Sequence, residues 1–509
     1  MPEIDSKNGN FKKPVKKDRV VEVANTFEWL ITALILAFVF RASIMEAYRI
    51  PTGSMADTLM GEHFQMRCEQ CGFRYNHGKS TSGTSGRGRR RTNLPKVPTR
   101  CPSCGYEQFA GGTMPVAKGD RILVLKCIYQ FFEPEQWDVI VFKNPSDPPV
   151  NYIKRLVGRP GETVEIIDGD IYIDGQISQK PPKVQKELWM SVYDNDYQPA
   201  RPKQGRFNGH PWQQPFRNLG ESNWSVDSDS PTKFRLKSNP ENVNTLIYDT
   251  SVGNDFRATY AYDNVRMYDN MPYCSDLMVR FYSASGLGEG RVGATLTKYE
   301  NEYSAWVDFE GHMVIYAETE KETVELARRK IMPPAVGKPV SVKFANVDHQ
   351  LIFEFGKEKL TCDLGPGADD LGARMPEVPP LVKIFGAGDL TLSHVAVFRD
   401  IHYLATRFGG NSRTGRATEG KPFTLGRDEF FVLGDNSPNS EDGRWWGQEG
   451  KGNNGHFYRA GIVPRDYLVG KALFVYWPSG FRVSEMIPFG IIPNVGQMRF
   501  IYGGSDRGL

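Results

Sequence analysis

The chain has 509 residues, which at roughly 150 residues per domain corresponds to about three folded units. Its 63 basic and 60 acidic residues give a net charge of +3, so charge offers no argument for nucleic-acid binding and we expect none. A hydrophobic content of 39% excludes a wholly disordered chain, seven cysteines are too few for a disulfide scaffold, and 51 Gly with 34 Pro favour β structure rich in turns.

The N-terminal segment is basic and then apolar. Six Lys and Arg residues lie between positions 7 and 19, and a run at 29–40 follows that is apolar except for Thr32. This pattern predicts a basic cytoplasmic tail at 1–24 and one transmembrane helix at 25–47, with everything after it on the outer side of the cell (inner) membrane. A cleavable signal peptide has the same basic and apolar regions and is the alternative. Arg41 directly after the run, with no clean small-x-small site before Ser54, argues against cleavage.

A serine lies a few residues beyond the predicted membrane exit. Ser54 follows Pro-Thr-Gly within Tyr-Arg-Ile-Pro-Thr-Gly-Ser-Met-Ala-Asp-Thr-Leu at 48–59. By itself such a serine is most often only a turn residue. Further along, Lys154 lies in a strand-like segment at 151–158, close to the apolar Ile153 and Leu156. Burial there would lower the pKa of the amine and leave a neutral base.

A third polar segment follows an apolar strand at 429–433. It reads Gly-Asp-Asn-Ser-Pro-Asn-Ser-Glu-Asp-Gly-Arg-Trp-Trp-Gly at 434–447, which is unusual for a plain surface loop. We expect its polar groups to satisfy one another in a buried network.

Two insertions separate these segments. The first, at 65–116, contains the pairs Cys68/Cys71 and Cys101/Cys104. Four thiolates at this spacing predict a tetrahedral zinc site, which would be structural because four protein ligands leave no open position. Disulfides or free thiols are the alternative, since an extracytoplasmic location permits disulfides.

The second insertion, at 180–415, has a first part with few clean periods and a second part with strand after strand from 277 to 398. This spacing predicts a β-sandwich. The pattern is similar to concanavalin-like or laminin-G-like jelly rolls, and a glycan or a protein is the candidate ligand of the insertion. Fold alone does not establish that function.

The ordered set of segments resembles bacterial type I signal peptidase, the membrane-anchored leader peptidase. The resemblance covers residues 25–64, 118–176 and 424–478. It implies that Ser54 is the nucleophile and Lys154 the general base, a dyad that needs no cofactor for catalysis. It also implies that the Thr52 hydroxyl joins the Ser54 backbone N–H in an oxyanion hole, and that Ser440 hydrogen-bonds the catalytic lysine.

Other positions of the resemblance concern the surroundings of the dyad. Asp442 and Arg444 match a supporting ion pair, and Asp435 is a further supporting residue. The chain departs from the family at Asp57 in place of Pro, at Ser437-Pro438 in place of Arg-Asp, and at Gly443 in place of Ser. None of these departures removes a group of the predicted dyad.

The sequence therefore predicts a mainly β membrane-bound serine endopeptidase with catalytic parts at 48–64, 117–179 and 416–509. Its expected partners are the signal peptides of exported preproteins and the lipid bilayer. Two alternatives are a self-cleaving Ser-Lys protease of the repressor type and an inactive membrane-anchored glycan- or protein-binding homologue. The membrane segment argues against the first, and the presence of Ser54 and Lys154 argues against the second.

Overall fold

The structure is a computed structural model that describes residues 19–79, 94–226, 231–318, 322–407, 413–451, 457–479 and 494–504. Within these residues the protein is mainly β with one long N-terminal helix, which confirms the predicted fold class. The predicted basic tail lies largely outside the described residues.

The N-terminal helix extends over Arg19–Ser43, and its portion Val21–Ser43 is long and apolar enough to cross a membrane. At 1.5 Å per residue the 25-residue helix is about 37 Å long. The predicted end at 47 is wrong, because Met45–Arg49 forms a strand that pairs with Arg121–Leu125. Lys126 caps this end of the helix: its Nζ donates to the Ala42 carbonyl oxygen at 2.9 Å, one of the acceptors that a helix end leaves without an intrahelical partner.

The sheet that contains the predicted catalytic segments, called the catalytic sheet below, is an eight-stranded antiparallel sheet made from distant parts of the sequence. Its strands, in spatial order, are Met45–Arg49, Arg121–Leu125, Leu468–Trp477, Val139–Asn144, Asp147–Gly158, Glu429–Leu433 and Val463–Pro464, with Arg499–Phe500 beside Leu468–Trp477. A smaller sheet contains Gln176–Ile177, Asp170–Ile173, Thr163–Ile167 and Phe423–Thr424. Apolar clusters on both faces of the catalytic sheet bury its strands, which explains their nearly continuous apolar sequences.

The second insertion contains a β-sandwich of two seven-stranded sheets around one large apolar core. The first sheet contains Met190–Asp194, Asp389–Arg399, Leu277–Ser285, Val340–Val347, Gln350–Phe355, Glu358–Asp363 and Lys233–Lys237. The second contains Phe216–Leu219, Asn244–Tyr248, Val382–Ala387, Arg291–Lys298, Asn301–Asp308, His312–Glu318 and Thr323–Lys330. The strands before residue 272 were not predicted, because each is short and long loops separate them.

The sandwich begins and ends on neighbouring strands. Met190 pairs with Arg399, so the chain enters and leaves the two-sheet body at one place. The helix Pro182–Leu188, which precedes the sandwich, packs through Val184 and Leu188 into an apolar cluster of the catalytic region. The two-sheet body is therefore shorter than the predicted insertion at 180–415.

Buried ion pairs join the sandwich to the catalytic region. Lys298 of the sandwich contacts Asp276 at 2.5 Å and Asp170 of the smaller sheet at 3.4 Å. Lys180 contacts Asp400 at 2.8 Å and also Asp348. All of these side chains are buried, so charges removed from water compensate one another across the junction.

The first insertion forms a small unit beside the Ser54 segment. One sheet of this unit contains His63–Arg67, Arg74–Gly78 and Val116–Ala117, and Leu94–Arg100 pairs with Glu107–Gly112.

The remaining elements lie outside the insertions' main sheets. Two ribbons pair Thr406–Arg407 with Arg413–Thr414 and Gly450–Lys451 with Phe457–Tyr458. The other short helices are Ile128–Phe131, Val265–Asn270, Ala368–Leu371, Ser437–Asn439, Arg465–Tyr467 and Val495–Gln497.

Candidate active site

Ser54 and Lys154 meet although 100 residues separate them in the sequence. The Lys154 amine lies 2.8 Å from Ser54 Oγ and 3.0 Å from the Ile153 carbonyl oxygen. Lys154 is held in the strand Asp147–Gly158, opposite Ile140. The turn that carries Ser54 is anchored by Met55 and Leu59, which are fully buried in an apolar cluster.

Burial sets the protonation of the candidate base. Lys154 is 4% exposed, and burial lowers the pKa of its amine to about 8 from the ordinary lysine value of 10.5. The carboxylates of Asp442 and Asp435 oppose this shift, since a nearby negative charge favours the ammonium form. A neutral amine in hydrogen-bonding contact with a serine hydroxyl can accept its proton as the oxygen attacks a carbonyl carbon.

Arg155 and Asp435 form a buried ion pair on the opposite face of the same strand. Arg155 donates from Nε and Nη2 to the two Asp435 oxygens at 2.8 and 2.7 Å. Its Nη1 donates to the carbonyl oxygens of Trp137 and Tyr502. Arg155 therefore fixes the strand that carries Lys154 against the loop that begins at Asp435.

Asp442 and Arg444 form the ion pair that the resemblance implies. Arg444 donates from Nε and Nη2 to Asp442 at 2.9 and 2.7 Å, and Asp442 also accepts the Gly434 N–H at 3.0 Å. Burial raises the pKa of Asp442, but Arg444 outweighs that effect and the pKa is lowered overall. Arg444 further donates to Ser437 Oγ at 2.7 Å, so the residue that departs from the family is part of this network.

Ser440 and Thr52, the two other residues predicted for the site, both lie close to Ser54. Ser440 is fully buried beside Gly434, where a Cβ would lie 2.2 Å from its hydroxyl oxygen and 2.4 Å from the Ser54 carbonyl oxygen. Among the described residues Ser440 Oγ has no hydrogen bond to Lys154, whose amine uses the Ile153 carbonyl instead. Thr52 is exposed next to Ser54, and its oxyanion role stays a prediction.

Sequence reasoning missed four residues around this site. Arg155 was not identified as the partner of Asp435, and Asn436, which donates its backbone N–H to the Ser54 carbonyl oxygen at 3.1 Å, was not singled out. Tyr262 and Asp263 come from the second insertion and were missed because that stretch has no periodic pattern. The position of Arg155 in the sequence was a usable signal. Adjacent strand residues face opposite sides, so Arg155 points away from Lys154, and an arginine in an apolar strand needs a carboxylate partner when it is buried.

The four cysteines of the first insertion form one cluster. Their sulfur atoms all lie within 4.8 Å of one another, with Cys68 to Cys104 at 3.6 Å and Cys71 to Cys101 at 3.7 Å. Tetrahedral zinc with Zn–S bonds of about 2.3 Å places sulfurs about 3.8 Å apart, whereas a disulfide needs about 2.05 Å. The donor set and its spacing fit zinc.

The sequence was compared with protein families and with individual proteins. The profile of the family described as signal peptidase, peptidase S26, matches residues 110–219 and 401–477. The matched residues include Lys154, Ser440 and Asp442, and Ser54 precedes them.

Curated relatives named "Signal peptidase I" match part of the chain. The protein of Rickettsia canadensis is 30% identical over 149 residues, which are 29% of this chain and 42% of the relative. That of Rickettsia akari is 31% identical with the same shares, and that of Rickettsia prowazekii is 28% identical over 33% of this chain and 46% of the relative. The chain thus spans less than half the length of these relatives.

Solved structures with low sequence identity match part of the chain. Galectin LEC-6 of Caenorhabditis elegans is 14% identical, with a TM-score of 0.19, over 25% of this chain and 87% of that structure. The carbohydrate binding module CBM66 from Bacillus subtilis is 11% identical, with a TM-score of 0.21, over 37% of this chain and 97% of that structure.

Proposed function

We propose that this chain, whose residues 110–219 and 401–477 match the profile of signal peptidase, peptidase S26, is a membrane-bound serine endopeptidase that removes signal peptides from exported preproteins. The observation that carries this proposal is the 2.8 Å contact between the Lys154 amine and Ser54 Oγ inside a buried site. Lys154 takes the hydroxyl proton as Ser54 Oγ attacks the substrate carbonyl carbon. The peptide C–N bond then breaks, the leaving amine takes the proton from Lys154, and an ester with Ser54 remains. Water, activated by Lys154, hydrolyses this ester, which releases the new C-terminal carboxylate and returns a proton to Ser54 Oγ.

The substrate would bind as an extended strand beside the dyad. The strand Asp147–Gly158 pairs along its length with Val139–Asn144, but on its other side only Arg155, Leu156 and Gly158 pair with Glu429–Leu433. Among the described residues this leaves the edge before Lys154 without a strand partner. An extended peptide can add to such an edge through backbone hydrogen bonds.

Two substitutions test the dyad. Ser54→Ala and Lys154→Met should each abolish cleavage of a separate preprotein by the full chain in detergent, whereas Lys143→Ala, which changes a lysine on the neighbouring strand, should not. Substantial cleavage by either dyad variant would contradict the mechanism. Cleavage of the chain itself without cleavage of the added preprotein would favour the repressor-type alternative, and no cleavage by the unaltered chain would favour the inactive homologue.

We also propose that the helix Arg19–Ser43 anchors the protein in the inner membrane with its N-terminus in the cytoplasm. Its length exceeds the roughly 30 Å apolar core of a bilayer, and basic residues precede it. Protease added outside spheroplasts should degrade the region after residue 44 and spare a tag fused at the N-terminus. Degradation of the tag would reverse the orientation.

Zinc is the proposed structural ion of the four-cysteine cluster. The ion would be bound by four thiolates, those of Cys68, Cys71, Cys101 and Cys104. Each cysteine pair lies in the turn of one hairpin, so the ion would hold the two turns together. Purified protein should contain about one zinc per chain, and Cys101→Ser should lose it while Cys274→Ser keeps it. Two disulfides among the four residues, detected by mass spectrometry, would refute the proposal.

A second candidate function concerns the outer face of the sandwich, which we propose binds a pyranose sugar. Trp306 and Tyr316 lie there half-buried and nearly parallel, with ring centroids 6.4 Å apart and an interplanar angle of 12°. The Arg291 guanidinium lies 5.5 Å from the Trp306 ring, and Tyr316 donates to Glu325 at 2.9 Å. Flat rings suit the apolar face of a sugar, and the charged groups suit its hydroxyls.

Titration with lactose and cellobiose tests this second function. The intrinsic fluorescence of the full chain should change saturably, and Trp306→Ala should abolish binding of either disaccharide. Tyr282→Ala, an exposed ring on the other sheet, serves as the matched control and should bind normally. Absence of saturable binding to both sugars would refute a sugar site.

A further inference from the structure

The loop at 260–263 of the second insertion lies against the segment that carries Ser54. Tyr262 is 4% exposed, and its ring covers Gly53, where an added Cβ would lie 2.0 Å from Tyr262 Cε1. The same ring covers Gly78 of the first insertion, and the Tyr262 hydroxyl donates to the Glu62 carbonyl oxygen at 3.2 Å. The ring thus lies between the backbone at Gly53 and the backbone at Gly78. Any larger residue at either position would clash with it.

Asp263 connects the same loop to the other side of the candidate site. Its Oδ1 accepts from Asn436 Nδ2 at 3.0 Å and from Asn439 Nδ2 at 3.3 Å. Asn436 is fully buried, and its backbone N–H donates to the Ser54 carbonyl oxygen at 3.1 Å. A chain of hydrogen bonds therefore runs from Asp263 through Asn436 to Ser54.

We infer that Tyr262 and Asp263 are positioning residues for Ser54, so the insertion completes the active site. This inference rests on the proposed peptidase function. Tyr262 restricts the backbone before the nucleophile, and Asp263 holds the asparagine that fixes its carbonyl. Neither side chain needs to touch the substrate, because a shift of the Ser54 hydroxyl away from the Lys154 amine is enough to slow the reaction.

Asp263 contributes to the site as a hydrogen-bond acceptor, and its negative charge is not needed for that. Burial raises the pKa of Asp263 to about 7, and its second oxygen is buried without a hydrogen-bond partner among the described residues. An asparagine can accept the same two amide N–H groups through its own Oδ1. The conservative variant should therefore preserve the function of this residue, whereas truncation should remove it.

Four variants of the full chain test the inference with a soluble signal-peptide substrate. Asp263→Ala and Tyr262→Leu should lower kcat at least tenfold with KM within threefold, because the substrate edge is unchanged. Asp263→Asn and Tyr262→Phe should keep kcat within threefold. Asp308→Ala, at a distant turn of the sandwich where Asp308 accepts from His312 at 3.0 Å, is the matched control and should not change kcat.

Thermal unfolding of each variant separates positioning from loss of structure. If Asp263→Ala and Tyr262→Leu are folded and retain kcat within threefold, the inference is wrong. It is also wrong if their kcat falls only in proportion to the folded fraction, or if the conservative variants fall as far as the truncated ones. Activity that survives Ser54→Ala would instead contradict the proposed function itself.

Discussion

The strongest quantitative prediction concerns the proton on Lys154. With a pKa of about 8 the amine is neutral in about 9% of molecules at pH 7, whereas at the ordinary value of 10.5 it would be neutral in about 0.03%. Burial thus enlarges the population of the competent base about 300-fold at neutral pH. The sign follows directly: activity is present above the pKa and is lost as the pH falls through it.

The assay is kcat/KM for a soluble, internally quenched signal-peptide substrate between pH 6 and 10. It should rise about tenfold from pH 7 to pH 9 and then level off. Because ionisation of an amine absorbs heat and that of a carboxyl group absorbs little, warming should move the rise to lower pH. The same rise should persist in Asp263→Asn, which removes a carboxyl group with a pKa of about 7.

Three outcomes would refute this account of the base. A rate that does not change between pH 6 and 10 would mean that no group of this pKa controls the reaction. A rise that does not move with temperature would indicate a carboxyl group, and a rate that still increases about tenfold per pH unit between pH 9 and 10 would indicate a lysine that burial does not perturb.

Two other substitutions probe buried charge. Arg155→Met should destabilise the fold by about 3–5 kcal/mol because it leaves Asp435 buried without its partner, and adding Asp435→Leu should recover most of that loss in thermal unfolding. Lys298→Met should cost a similar amount, about 3–5 kcal/mol, because Asp170 and Asp276 lose their shared cation, whereas the exposed Arg217→Met should change the free energy of unfolding by less than about 1 kcal/mol in urea. A neutral effect of Arg155→Met or Lys298→Met would show that the respective carboxylates reach water or are protonated.

The local parts of this protein were predictable from sequence, and the parts that join distant segments were not. The apolar strand around Lys154 and the turn at Ser54 could be identified because each carries its own pattern. The Lys180 and Lys298 ion pairs could not, since a lone lysine or aspartate in a loop has the same sequence signature whether it is buried or solvated. Tyr262 contacts Gly53 across more than 200 residues, and only the fold reveals why Gly53 must be glycine.

The pairing of Met190 with Arg399 has a consequence for the order of folding. In the catalytic sheet Val432 pairs with Leu156, 276 positions earlier, so closing that sheet first would require a very long loop. A sandwich that has already formed brings its own ends together and leaves about 67 residues to be closed, which lowers the entropic cost by about 1 kcal/mol. Contacts of such long range form slowly and leave strand edges open meanwhile. The insertion therefore favours a folding route in which the sandwich forms first and then brings the two halves of the catalytic sheet together.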